Sequence, residues 1–284
     1  MRRLAVALVA GALLVGAAPA GAAVPGVGDV ARETGLGRMA DRLEAAAELS
    51  LRMHLRRVKA PPAARGTTRI GGGPDLPAGT RWPRCKGRPM TFIGQVRLDD
   101  LPPTELPRTG LLSMFVDVET EYAGIEYGLD AGACAKVLHV APGTPLTRRA
   151  FDRRRFHLRP SLVAFRPEAT VPWPGEAPLT GLEISSDADF DAWDRFYRRL
   201  SPVRDGRDGV HRLLGYGLGV QGDPRLTCAG NERDVQQWRQ LLELDHDLAT
   251  GFEVADGGRL HLLVRADDLR RDDVTRVCPS FASS

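Results

Sequence analysis

Two spacings of hydrophobic residues alternate along this chain, and each predicts a different kind of element. In residues 36–58 the apolar positions recur every three or four residues, which predicts an amphipathic helix that ends before Pro61 and Pro62. Residues 91–98 (TFIGQVRL) and 110–118 (GLLSMFVDV) are apolar runs of strand length. The two runs are separated by a Pro-rich bend, and they predict a β-meander in a core.

A second helix is predicted over residues 185–200, where apolar side chains again follow helical spacing. Ser186 or Asp187 is expected to cap its first turn. One stripe of this helix is expected to face the core, and it consists of Phe190, Trp193, Phe196, Tyr197 and Leu200.

Residues 71–90, which precede the first predicted strand, are rich in Gly and Pro. A phosphate-binding loop needs glycines between a strand and a helix. Here the glycines run into Pro74, which lacks a backbone N–H donor, and a strand follows instead of a helix. The segment is therefore predicted to be an ordered, turn-rich loop packed by Trp82.

The two halves of the chain contain a similar order of elements. TFIGQVRLDDL, a turn and GLLSMFVD in the first half correspond to WRQLLELDHDL, a turn and GGRLHLLVRADDL in the second. Each set predicts a strand, an acidic turn and a strand. We expect two related β-rich halves, over about residues 65–140 and 205–279, that share one core.

Several of these motifs also carry a family resemblance. The run RIGGGPDLPAGTRWPRCKGRPMTFIGQVRLDDLP, then LPRTGLLSMFVD, HRLLGYGLGVQGDPR, QQWRQLLELDHD and DGGRLHLLVRADDLRRDDVTRV, resembles the YwqG-like family, a bacterial family of unassigned function. The chain departs from the family pattern at Gly217, where Pro is usual, at Glu243, where an amide is usual, and at His246, where a small polar residue is usual.

The resemblance implies a fold but no chemistry. It implies an α+β class that is mainly antiparallel β, a roll with peripheral helices, formed as a single domain over residues 35–279. The family has no established catalytic residues to carry over to this chain.

The first residues have the features of a secretory signal peptide. Arg2 and Arg3 precede an apolar run over residues 4–18, and Ala20-Gly21-Ala22 offers a cleavage site, so residues 1–22 are predicted to be removed. A membrane anchor is disfavoured because the run is shorter than the roughly 20 residues that a span needs. Residues 23–34 are then a loose mature N-terminus. We expect a secreted protein, exported by either the general secretory or the twin-arginine route, with no transmembrane span after cleavage.

Charge and cysteine usage agree with an exported, protein- or polymer-binding chain. Cleavage would lower the formal charge from +3 to +1, too little for a nucleic-acid partner. None of the four cysteines lies in a CxxC pair, so two disulfides are expected, with three pairings open. The similarity of the halves favours Cys85 with Cys134 and Cys228 with Cys278.

Two groups of residues could contact a ligand. The first is an Arg-rich stretch, a candidate anion-binding surface whose alternative is an ordinary solvated face; it contains Arg148, Arg149, Arg153, Arg154, Arg155 and Arg159. The second is a candidate polar cluster for acid–base or metal chemistry, and it contains Asp245, His246, Asp247 and His261. Neighbouring strand residues point to opposite faces, so we expect its aspartates to form turns instead.

No motif predicts a cofactor or a metal site. Asp187, Asp189 and Asp191 have calcium-loop spacing, but Ala192 replaces the required Gly, and Arg198 replaces the final Glu. Signatures of nucleophilic hydrolases are also missing. The sequence therefore favours a non-catalytic domain that binds an anionic cell-wall polymer or a protein partner. The alternative is a hydrolase of wall glycans that uses two carboxylates, which sequence alone cannot select.

Overall fold

The computed structural model describes residues 26–118, 134–151, 156–202, 209–219, 222–253 and 257–282. Residues 1–22, the predicted signal peptide, lie outside this part. In chain order the elements are α1 (Val27–Thr34), α2 (Ala40–Ala46), β1 (Glu48–Arg57), β2 (Arg69–Ile70), β3 (Asp75–Pro77), β4 (Arg84–Cys85), β5 (Arg88–Pro89), β6 (Thr91–Arg97), β7 (Leu111–Val116), β8 (Ala135–Val140), β9 (Leu146–Arg148), β10 (Ser161–Thr170), α3 (Asp187–Leu200), β11 (Arg212–Leu213), α4 (Leu226–Ala229), β12 (Trp238–Leu244), β13 (Arg259–Arg265), α5 (Ala266–Leu269) and β14 (Val277–Ala282).

One large antiparallel sheet dominates the described residues. Its strand order is β14-β13-β12-β11-β1-β10-β2-β6-β7-β8, and the two edge strands β14 and β8 lie against each other, so that the sheet nearly closes into a barrel. Two small sheets, β3 with β9 and β4 with β5, lie outside it. The predicted class, mainly antiparallel β with peripheral helices, is confirmed.

The predicted strands and their turn are confirmed close to their expected bounds. The runs at 91–98 and 110–118 form β6 and β7, and β12 and β13 form the corresponding pair of the second half. Leu51, Ile93, Leu241 and Leu262 are fully buried in the main core cluster, which the strands of the large sheet enclose. Residues 71–90 form a chain of turns with the short strands β3, β4 and β5.

The helix predicted over residues 36–58 is wrong for its second half. Helical structure ends at Ala46, and residues 48–57 form β1, which pairs along its whole length with β10. The side chains of Leu51 and Met53 enter the core, whereas Leu49 remains 43% exposed. Pairing with β10 and β11 on both sides satisfies the backbone of β1, and this outweighs the helical spacing of its leucines.

The expectation of a loose N-terminus is also wrong for the described residues. Residues 27–34 form α1, and Val27, Val30 and Ala31 are buried. They pack with α2 and α3 in a separate helical cluster that includes Trp193 and Phe196. Burial of this apolar face holds α1 on the domain.

Helix α3 confirms the second helix prediction, including its cap. The Ser186 side chain accepts a hydrogen bond from the Asp189 backbone N–H at 3.2 Å. Trp193, Phe196 and Leu200 are buried, as expected. Phe190 is 49% exposed, so its assignment to the core stripe is wrong.

Both predicted disulfides are confirmed. Cys85 bonds to Cys134, and Cys228 bonds to Cys278. Each staple lies within one half of the chain. Among the described residues, no helix is long and apolar enough to cross a membrane.

Candidate functional site

One concavity among the described residues is an aromatic groove. It has a volume of about 280 Å³, and Trp82, Met90, Phe92, Phe151 and Phe156 contribute to its walls. The loop before β6 supplies Trp82 and Met90, and β6 itself supplies Phe92. The segment between β9 and β10 supplies the two phenylalanines. Concave, mainly apolar sites with a few polar groups are typical of small-ligand binding.

Ring contacts and one hydrogen bond fix the floor of this groove. The Trp82 indole N–H donates to the Met90 carbonyl at 2.8 Å, and the Trp82 ring meets Phe115 edge to face at 5.6 Å between centroids. Phe92 lies 5.4 Å from the same Phe115 ring. Phe151 and His157 also line the groove, and their ring centroids are 4.8 Å apart. The groove is therefore built before any ligand arrives.

A buried ion-pair network lies next to this floor. Arg69 is fully buried, its Nη1 lies 2.9 Å from Asp75 Oδ2, and its guanidinium carbon lies 5.9 Å from the Phe92 ring centroid. Arg148 donates from Nε to Asp75 Oδ1 at 2.9 Å. Burial alone would raise the pKa of Asp75, but the bond from Arg148 and the charge of Arg69 outweigh it and hold this pKa below its ordinary value.

The Arg-rich stretch is divided by this arrangement. Arg148 is committed to Asp75, Arg149 donates to the Thr80 carbonyl at 3.3 Å, and Arg159 donates to the Leu248 carbonyl at 2.9 Å. Arg153, Arg154 and Arg155 lie outside the described residues. Arg148, Arg149 and Arg159 thus link neighbouring segments of the chain.

The candidate polar cluster does not converge on one point. Asp245 accepts from Arg259 Nε at 2.8 Å, and Asp247 accepts from the backbone N–H groups of Ala249 and Thr250 at 2.6 and 3.1 Å. His246 contributes its backbone N–H to the Asp245 carboxylate. Asp247 therefore forms a turn, as the sequence predicted.

Two histidines accompany these aspartates, and each has at least one hydrogen-bond partner. His211, which the sequence analysis missed, accepts the Asp245 N–H at Nδ1 and lies 3.1 Å from Asp247 through Nε2. A backbone donor at Nδ1 requires the proton to be on Nε2, so neither nitrogen is available as a base. Burial lowers the pKa of His261, which is fully buried and contacts Gln240.

A second missed network surrounds Arg212 on β11. Its fully buried guanidinium bonds Glu168 at 2.5 Å and Glu243 at 3.0 Å, and it donates to the Tyr197 and Ser201 hydroxyls. Glu243 thus neutralises a buried charge. An arginine inside the apolar run HRLLG was the sequence signal for this network.

A second, much smaller pocket is lined by acids. Glu176, Asp223, Arg225 and Gln240 line it, and its volume is about 10 Å³, room for about one water. Burial, followed by the charge of Asp223, raises the pKa of Glu176 to about 7. Arg225 is held by Asp223 at 2.8 Å. Among the described residues, no group of three or more His, Cys, Asp or Glu side chains could hold a metal ion.

The fold and the groove define an antiparallel β domain with a preformed aromatic concavity. A family model described as a domain of unknown function, DUF1963, matches residues 68–281. The chain belongs to this family. No curated protein matches the chain.

Proposed function

We propose that this protein is an exported, non-catalytic binding domain whose aromatic groove holds an anionic cell-wall polymer. The observation that carries the proposal is the groove itself, a concavity of about 280 Å³ with preformed aromatic walls. This volume is near the lower end of the roughly 300–1,000 Å³ range of small-molecule sites. We also propose that this chain is a member of the YwqG-like family.

Aromatic walls suit the sugar rings of such a polymer. A ring can lie against the faces of Phe151 and Phe156 and bury its apolar C–H surface. Among the described residues that line the groove there is no Asp, Glu, Lys or Arg. Apolar contact with individual rings is therefore the expected mode of binding.

The negative charge of the polymer would meet Arg153, Arg154 and Arg155. These residues join Phe151 to Phe156 in the sequence, so each lies within a few residues of a groove wall. Guanidinium groups pair well with phosphate and carboxylate. The predicted signal peptide over residues 1–22 and the two disulfides support a location where such polymers occur.

Binding of the mature protein to isolated wall fractions, measured by calorimetry, tests the groove. Phe151→Ala should weaken binding about fivefold or more, because stacking contacts are worth about 1 kcal/mol. Phe190→Ala is the matched control, since Phe190 is 49% exposed on α3 and its removal should leave binding unchanged. Equal loss in both variants, or no binding to any wall fraction, would contradict the proposal; capture of a protein instead would point to a protein partner.

The charge component has a separate test. Binding should weaken steeply with added salt, because screening shortens to about 3 Å at 1 M. Replacing Arg153, Arg154 and Arg155 by Ser should abolish binding to phosphate-rich fractions without altering the fold. Salt-independent binding would remove the arginines from the proposal but leave the groove.

A carboxylate-dependent hydrolase of wall glycans is the second candidate, because Glu176 has a pKa raised to about 7 beside Asp223. A protonated carboxyl near neutral pH is the group that a general acid requires. The room for about one water in this pocket argues against a bound sugar. Product analysis after incubation with wall glycans decides: release of fragments that Glu176→Gln abolishes would favour the hydrolase.

A further inference from the structure

A cavity of about 480 Å³ lies against the central strands β1 and β10, away from the aromatic groove. Arg52 and His54 of β1, Arg166 of β10, His211 and Asp247 are among the residues that line it. Its volume falls within the range of sites for small molecules. Nothing in the binding or hydrolase proposals uses it.

Two arginines lie side by side in the wall of this cavity, on adjacent strands. Arg52 and Arg166 are direct cross-strand partners in the antiparallel pairing of β1 with β10. Directly opposed residues have Cβ atoms about 4.5–5.5 Å apart, and like charges at such positions are destabilising. A repulsive pair in the middle of the longest strand pairing therefore needs a compensating negative group.

The available acids supply only part of this compensation. Glu168 lies 3.8 Å from Arg52, but it is bound more closely by Arg212 at 2.5 Å. Arg52 Nη1 donates to the Ser201 hydroxyl at 3.0 Å, and among the described residues no acceptor binds its Nε or Nη2. Burial, followed by the charge of Arg212, lowers the pKa of Arg52, which reflects the cost of keeping this guanidinium charged.

Arg166 lacks a neutralising acid among the described residues. It is exposed toward solvent, and within the described part of the chain it has no ion pair or hydrogen bond. Asp247, the remaining acid of the cavity, is bound by the His211 ring and by the Ala249 and Thr250 N–H groups. Its carboxylate is therefore satisfied without either arginine.

We propose that this cavity binds the oxyanion group, phosphate or carboxylate, of a small molecule between Arg52 and Arg166. Such a group would accept hydrogen bonds from the free N–H groups of both guanidiniums, as their planar forks allow. It would also remove the repulsion between the two strands. Bound anion should therefore stabilise the folded protein.

Thermal unfolding of the mature protein in sodium phosphate, acetate and chloride, at matched ionic strength, tests the site. Phosphate or acetate should raise the melting temperature above its value in chloride, and the more effective anion identifies the group. Arg166→Ala should lower the affinity for the anion, measured by calorimetry, about tenfold or more. Arg166→Lys keeps the charge without the planar fork, so its affinity should lie between those of Arg166→Ala and the unmodified protein.

Arg57→Ala is the matched control, because Arg57 is an exposed arginine of the same strand and is not among the residues that line the cavity. It should bind the anion as the unmodified protein does. Equal effects of all three salts, or an unchanged anion response in Arg166→Ala, would overturn the proposal. The triple Ser variant of Arg153, Arg154 and Arg155 should retain this response, which separates the cavity from the groove.

Discussion

Trp82 shows how a single side chain holds the turn-rich segment before β6. Its indole bonds the Met90 carbonyl and packs on Phe115, so its loss removes a hydrogen bond and an aromatic contact. Because the ring is only half-buried, Trp82→Ala should cost about 2 kcal/mol, less than a fully buried tryptophan. At about 2–4 °C per kcal/mol, the melting temperature should fall by several degrees.

Trp173→Ala provides the comparison for this melting experiment. Trp173 is 47% exposed and touches Trp193 by its edge. Its removal should change the melting temperature less than the removal of Trp82. If Trp82→Ala melts like the unmodified protein, the loop is not held by this ring.

Glu176 gives a prediction about pH. Its pKa in the folded protein is about 7, above the unfolded value of 4.5, so the native state binds more protons between these values. Stability contributed by this group is therefore present below about pH 4.5 and is lost as the pH rises toward 7. Between these pH values the melting temperature of Glu176→Gln should fall less than that of the unmodified protein. Glu183→Gln, at an exposed position, should show the same fall as the unmodified protein.

At the residue scale, the sequence identified side chains whose role is set by their neighbours along the chain. The disulfide cysteines followed from the similar order of motifs, and the turn role of Asp247 followed from its position after a strand. Arg212, His211 and Glu176 could not be identified in this way. Their roles depend on acids and burial contributed by segments far away in the sequence.

At the scale of elements, α3 offers the sharpest test. Ser186→Ala removes the acceptor for the Asp189 N–H and should cost about 1 kcal/mol. Ser185→Ala is the matched control, since Ser185 precedes the cap and is exposed. If melting temperatures measured by circular dichroism are lowered equally in both variants, the capping role is refuted.

The misassigned strand β1 shows the limit of periodicity. Leu51 and Leu55 have helical spacing, but Leu51 and Met53 also share one face of a strand. Such a short segment satisfies both patterns, and only its pairing with β10 and β11 decides between them. By contrast, α3 carries a cap and a longer stripe, so local signals were sufficient.

At the scale of the whole molecule, we propose that two related halves flank the central pair β1 and β10. In support, β2-β6-β7-β8 and β11-β12-β13-β14 follow outward in the same order on opposite sides of that pair. The first long strand of each half carries a register shift, around Ile93 and around Leu241. Cys85 also follows Arg69 by as many residues as Cys228 follows Arg212.

The disulfides provide a global stability prediction. Replacing Cys228 and Cys278 by Ser should lower the free energy of unfolding by about 4 kcal/mol, because the staple closes a loop of about 50 residues. Denaturant titration measures this loss. The unmodified protein prepared under reducing conditions should be weakened further, since it also lacks the Cys85–Cys134 bond. A variant as stable as the unmodified protein would contradict the prediction.

The positions of these two staples bear on how copies of the protein behave beside one another. Cys278 lies in the edge strand β14, and Cys134 immediately precedes the other edge strand, β8. Exchange of a strand between two molecules begins when an edge strand peels away and offers its backbone to a neighbour. Covalent attachment of both edges to their own halves opposes this first step, so crowded copies should remain separate molecules instead of swapping strands.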